Sequence, residues 1–207
     1  MKLPWSGTIL CVQPRIRLSR SFDESAHTYQ GYTLHIDGTV GDETRDVLIG
    51  IGKAAQAKHH FRLGDEVSGE SEPVFNPKME TAQFYKTAKL KLLKRAEEAD
   101  NMPPPWIEEP PALEVYRKRG ARRLAAKVFD TKCGSCIWGC KMPVEIIIDK
   151  WKPDVRRYRV ETFCYGPKSC RFYKAGPTRK VPGRGGMSYE EGDWVDEAQT
   201  EGRGRDD

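Results

Sequence analysis

Five of the six cysteines fall within 38 residues, from Cys133 to Cys170. Cys133, Cys136 and Cys140 form one group, Cys164 and Cys170 the other. Between them, residues 144–151 and 157–163 are rich in β-branched and aromatic side chains, and Lys152, Pro153 and Asp154 supply turn chemistry. The pattern predicts a hairpin. A hairpin brings its two feet together, so both cysteine groups are expected to converge on one point.

Gly134 permits the tight turn in which Cys133 and Cys136 reach one ion, while Gly166 and Pro167 make a looser loop between Cys164 and Cys170. Thiolates converging in a cationic segment resemble metal sites of the zinc-ribbon or treble-clef kind. The resemblance implies one zinc held tetrahedrally by four of the five thiolates, with the first pair and the last pair preferred. Cys140 is one ligand too many, and either replaces another or sits reduced beside them. The spacing Cys-x2-Cys-x3-Cys with a distant cysteine also fits an iron–sulfur cluster. Disulfides and clustered free thiols are the remaining alternatives, but no apolar signal segment opens the sequence, so a reducing cytoplasm is expected.

Charge is segregated along the chain. Residues 1–114 carry 14 Lys/Arg against 17 Asp/Glu, residues 115–185 carry 19 against 5, and residues 186–207 carry 2 against 8. A segment as basic as the middle one predicts a polyanionic partner, with a solvated surface as the alternative. No apolar run approaches the roughly 20 residues that cross a bilayer, so no membrane is expected.

The first half reads as β structure. Strands are predicted over residues 5–20, 29–38 and 46–51, then a short helix over 53–61, then strands from 63 and over 82–93. Pro14 predicts a bulge or bend in the first strand. Three strands, a short helix and two more strands over roughly residues 5–95, within a predicted unit of residues 1–99, resemble the OB-fold domains of nucleic-acid-binding proteins. Gly7 in the long first strand and the Gly64-Asp65 turn before the fourth add to the likeness. The resemblance implies a five-stranded barrel with a ligand face on strands two and three, where bases stack on aromatic rings and cations meet phosphates. Tyr29 and Tyr32 are the stacking candidates, with Arg15, Arg17, Lys53, Lys86 and Lys89 as cationic candidates; ordinary barrel positions are the alternative for each tyrosine.

Five prolines in residues 100–111 mark a stiff linker, packed through Trp106. A basic helix is predicted over 112–129, broken by Gly120 into one or two pieces, with Arg117, Lys118, Arg122 and Arg123 facing phosphates. Arg156 and Arg157 on the cysteine hairpin complete the cationic set. The cysteine segment to residue 186 forms the second predicted unit. Residues 176–186, rich in Gly, Pro and Arg, are expected to lack regular structure. Residues 187–207 form an acidic tail, either disordered or folded back to compete for the cationic surface.

No Walker loop and no Ser/His/Asp or Cys/His constellation appears, and an all-thiolate metal set is usually closed and structural. The sequence therefore predicts a mainly β protein: an OB-like barrel, a helix and a metal-bound cysteine hairpin. It is expected to bind nucleic acid, single-stranded DNA or RNA, without catalysis. An iron–sulfur or redox protein, or an adaptor in a larger complex, are the alternatives.

Overall fold

The computed structural model describes residues 1–22, 24–98, 106–152 and 154–204. Its spine is β1 (Leu3–Arg20), which is long enough to serve two structures at once. The ends of β1 and of β2 (Ser25–Val40) lie together, and β2 runs antiparallel along nearly its whole length. The beginning of β1 also pairs with β4 (Glu66–Pro73). β2 continues to β3 (Glu43–Ile51), β3 meets β5 (Phe84–Lys94) in parallel at Ile49 and Phe84, and β5 returns to β4. Five strands thus close into a ring. The short helix α1 (Lys53–His59) stands between β3 and β4.

Closure requires β1 to bend, and the register shifts between Ile9 and Cys11 and between Arg15 and Ile16, on either side of Pro14. It also requires β1 and β2 to approach closely. A Cβ on Gly7 would lie 2.3 Å from the Asp37 carbonyl oxygen, and one on Gly38 would lie 2.1 Å from that of Ser6. Only glycine fits both places.

The far end of β1 carries the cysteine hairpin. Leu18, Ser19 and Arg20 pair in parallel with Val144, Glu145 and Ile146 of β7 (Gly139–Ile147). β7 pairs with β8 (Arg156–Cys164), and the two-residue β6 (Arg122–Arg123) finishes an eight-stranded sheet. Ile9, Val12, Ile16, Leu34, Ile36 and Ile49 from the ring share one buried core with Met142, Val144, Ile146 and Phe163 from the hairpin. The two predicted units are therefore joined by sheet and by core. Of the linker, residues 100–105 lie outside the described residues; beyond them the Trp106 carbonyl accepts from the Ile137 N–H at 2.8 Å.

Two expectations are corrected, and a third is narrowed to one of its alternatives. The helix predicted over 112–129 is α2 (Leu113–Arg119), then β6, then a single turn α3 (Ala126–Val128) running into a π turn, Phe129–Cys133. The break falls at Gly120, whose φ of +72 suits glycine and whose Cβ would lie 2.0 Å from the Gln199 carbonyl oxygen. Residues 176–186 are not irregular throughout. Arg179–Pro182 forms β9, which pairs with β10 (Ser188–Glu191). Of the two readings of the acidic tail, folding back is the one observed: it continues into α4 (Asp193–Gln199), which packs on β6.

Candidate cysteine cluster and the adjoining cleft

The hairpin register explains how the cysteines meet. Gly139 at the start of β7 pairs with Cys164 at the end of β8. Cys133 closes the π turn, and the Cys136 N–H donates to its carbonyl at 3.1 Å, making a knuckle just before β7. Cys170 sits in the turn after β8, its N–H on the Pro167 carbonyl at 3.2 Å. Burial pushes the Cys133 thiol up to about 12, and Cys164, Cys136 and Cys170 add to that shift. Burial likewise raises Cys136 to about 12, against hydrogen bonds from neighbouring backbone, and raises Cys164, which Arg122 opposes. The Cys133 thiol lies within electrostatic reach of those of Cys136, Cys164 and Cys170. Ionising several of them together is costly unless a cation offsets the charge.

Their chemistry suits zinc, but as placed they do not complete a coordination shell: among the described residues no group of three or more His, Cys, Asp or Glu side chains is arranged to hold a metal ion. Cys140 stands apart. It is fully buried in the main core, with its thiol donating to the Pro14 carbonyl at 3.3 Å, and burial raises it. The sixth cysteine, Cys11, was not among the candidates, yet its thiol donates to the Gly134 carbonyl at 3.2 Å, inside the knuckle.

The knuckle is docked on the ring. The Gln13 side-chain amide on β1 donates to the carbonyls of Cys133 at 3.0 Å and Cys136 at 2.8 Å. Beside this junction opens a cleft of about 610 Å³. Its floor is the outer face of β1–β3, at Gln13, Thr33, His35 and Leu48. Glu80 and Thr81, from the β4–β5 connection, line it, as do Phe129, Gly134, Lys141 and Val160 from the cysteine segment. The Lys141 ammonium lies 3.1 Å from Asp130 and 5.0 Å over the Phe129 ring.

The nucleic-acid candidates divide sharply. Tyr32 is buried, and its hydroxyl donates to the Pro111 carbonyl at 2.7 Å, so it is a core residue and not a stacking platform. Tyr29 is half-buried, and the Arg117 guanidinium covers its ring at 4.9 Å. Arg122 and Arg123, expected at the surface, are both buried. Arg122 lies 4.0 Å over the Tyr173 ring and donates to the carbonyls of Gly166 and Pro167 at 3.0 and 2.9 Å, bracing the loop between Cys164 and Cys170. Arg123 is bound by the tail, through Asp193 and Asp196.

The barrel lysines are exposed but balanced. Lys86 pairs with Glu72 at 3.1 Å and Lys89 with Glu70 at 2.7 Å, so β4 neutralises the stripe on β5. Arg15, only 13% exposed in its side chain, faces Glu80 at 3.7 Å, and Arg17 is half-buried with its Nε enclosed. Arg156 pairs with Glu145. Lys53, Arg117, Lys118 and Arg157 are exposed. Sequence reasoning missed Gln13, Phe129 and Lys141, which line the cleft and which no local pattern singles out.

Comparison with protein-family models, with curated proteins and with solved structures returns no match. Among the described residues no helix is long and apolar enough to cross a membrane.

Proposed function

We propose that this chain is a non-catalytic, cytoplasmic single-stranded nucleic-acid-binding protein, built on an OB-type barrel and braced by one structural zinc. In this reading Cys133, Cys136, Cys164 and Cys170 hold the zinc, and Cys140 is a core residue. When bound, the ion would offset the thiolate charge and lock the knuckle. The strand order β1-β2-β3-α1-β4-β5 closed into a ring supports the barrel assignment. The observation that carries the reading is the cleft over β1–β3, whose wall is the cysteine knuckle itself. That wall joins the metal to the ligand face.

A flat base fits a cleft with Leu48 on its floor and Phe129 on its wall, and Lys141, paired with Asp130 at 3.1 Å, is the cation that a phosphate would draw from that pair. The exposed cations Lys118, Lys127, Lys132, Arg157, Arg171 and Lys174 extend the positive field along the cysteine segment.

Elemental analysis of purified protein, with anisotropy titrations of single- and double-stranded DNA and RNA across salt, tests both halves. One zinc per chain, a single-strand preference and an affinity falling steeply with salt are expected, since each neutralised phosphate releases a counterion. Iron with sulfide would replace the zinc assignment. Absence of salt-dependent binding to every oligonucleotide would overturn the function.

A further inference from the structure

The β7–β8 hairpin offers one face to the core; the other is open to solvent along β8, whereas Pro143 and Glu145 of β7 are buried there. Met142, Val144 and Ile146 pair with Glu161, Arg159 and Arg157 and point into the core cluster. Alternate residues occupy the other face, where Val160, Tyr158 and Arg156 pair with Pro143, Glu145 and Ile147. Val160 lines the cleft and is 60% exposed. From it the same face leads through Tyr158 and Arg156 to the hairpin tip, where Trp151 is 83% exposed. Trp151, Val155, Tyr158 and Val160 are all exposed on this one short hairpin, and apolar surface gathered in a contiguous patch marks an interaction site.

Cations accompany these side chains. The Lys78 ammonium, from the β4–β5 connection, lies 6.0 Å over the Tyr158 ring. Of the cations in residues 148–160, Lys150, Arg156 and Arg159 pair with Glu24, Glu145 and Glu161, while Lys152 and Arg157 are exposed to solvent. Apolar and aromatic surface interleaved with cations complements a polyanion whose bases stack, better than it complements an apolar protein face.

We infer that the nucleic-acid surface does not end at the cleft: it continues along Val160 and Tyr158 to Trp151, which is a second stacking platform for a longer single strand. The inference rests on the cleft binding proposed above. The hairpin supplies length, and the cleft supplies the first foothold.

The test compares single-stranded oligonucleotides of about 5 and about 15 nucleotides, spanning the range of site sizes for barrels of this kind. Binding is measured by anisotropy with the full chain and with Trp151→Ala, Tyr158→Ala and the double variant. Both side chains lie outside the core cluster, and circular dichroism checks that each variant is folded. The double variant is expected to lose about tenfold or more in affinity for the longer strand while the shorter strand, held by the cleft, binds as before. Trp151→Phe, which keeps an aromatic face, should recover most of the loss. Equal affinity of wild type and double variant for the longer strand overturns the inference and leaves the cleft reading standing. Failure of wild type to bind either length sinks both. A wild type that sediments as a dimer, with Trp151→Ala a monomer and strand affinity unchanged, makes this a self-association face instead.

Discussion

Arg123 on β6 and Asp196 on α4 are locked together from both ends: the arginine Nε donates to Oδ2 at 3.1 Å, and its backbone N–H donates to Oδ1 at 2.8 Å. The guanidinium also reaches the carbonyls of Pro177 and Glu191, both at 3.1 Å, and the Asp193 carboxylate. A side chain only 2% exposed thus gathers three parts of the C-terminal region. The acidic tail meets the basic segment through a buried, directional contact, so α4 is an element of the fold.

Removing one member of such a group leaves the other charged and buried, which typically costs about 3–5 kcal/mol. Asp196→Ala should therefore destabilise the protein by about that amount in urea unfolding, and amide exchange should rise first in residues 193–199. Asp196→Asn keeps a carbonyl acceptor and should cost less. If Asp196→Ala unfolds like wild type, the tail is not anchored there.

The cysteines separate by position. Cys136→Ser should abolish the proposed zinc and loosen the knuckle from Gln13, while Cys140→Ser should keep the ion and report only a core polarity change. Full zinc content in Cys136→Ser, or loss of zinc in Cys140→Ser, would reverse the assignment. Metal removal by a chelator should lower the melting temperature of wild type but not of Cys136→Ser.

Much of the first half was legible because its signals are local. Alternation in β1 and β2, the bulges around Pro14 and the helix between β3 and β4 all follow from period and turn chemistry. The convergence of cysteines followed from a hairpin spacing. What could not be read was pairing at long range. Arg122 and Arg123 looked like solvated helix cations, because the carboxylates that bury Arg123 come some 70 positions later. Tyr32 looked like a platform, because the carbonyl that takes its hydroxyl is 79 positions away. The lysines of β5 looked like a cationic stripe until the register set Glu70 and Glu72 across from them. Composition also misled. Gly, Pro and Arg suggested an irregular arm, yet Arg179 and Val181 are buried, and Arg179 reaches Glu161 at 2.7 Å.

Gly120 is the hinge of that same region. Its φ of +72 lies where side chains are strained, and a Cβ would meet the Gln199 carbonyl oxygen at 2.0 Å. Gly120→Ala should cost on the order of 3 kcal/mol, through strain and displacement of the C-terminal end of α4. An unchanged thermal midpoint would mean that α4 yields without loss.

His27 on β2 provides a pH dependence. Its Nε2 is buried without a hydrogen-bond partner among the described residues, and its ring stands edge-on to Phe163 with centroids 6.4 Å apart. Burial, helped by the nearby Arg20 and opposed by Glu161, lowers its pKa to about 4. The unfolded chain takes up this proton near pH 6.5, whereas the folded chain resists it down to about 4. The contribution is therefore complete above pH 6.5 and is lost as pH falls toward 4. Burial raises the pKa of Glu191 and Asp196, which acts in the opposite direction, since protonating them favours the folded state. The histidine is isolated by comparison with His27→Gln. Between pH 7.5 and 5.0 wild type should lose about 2 kcal/mol more than the variant in urea unfolding. Parallel losses in the two proteins would show that His27 titrates alike in the folded and unfolded states.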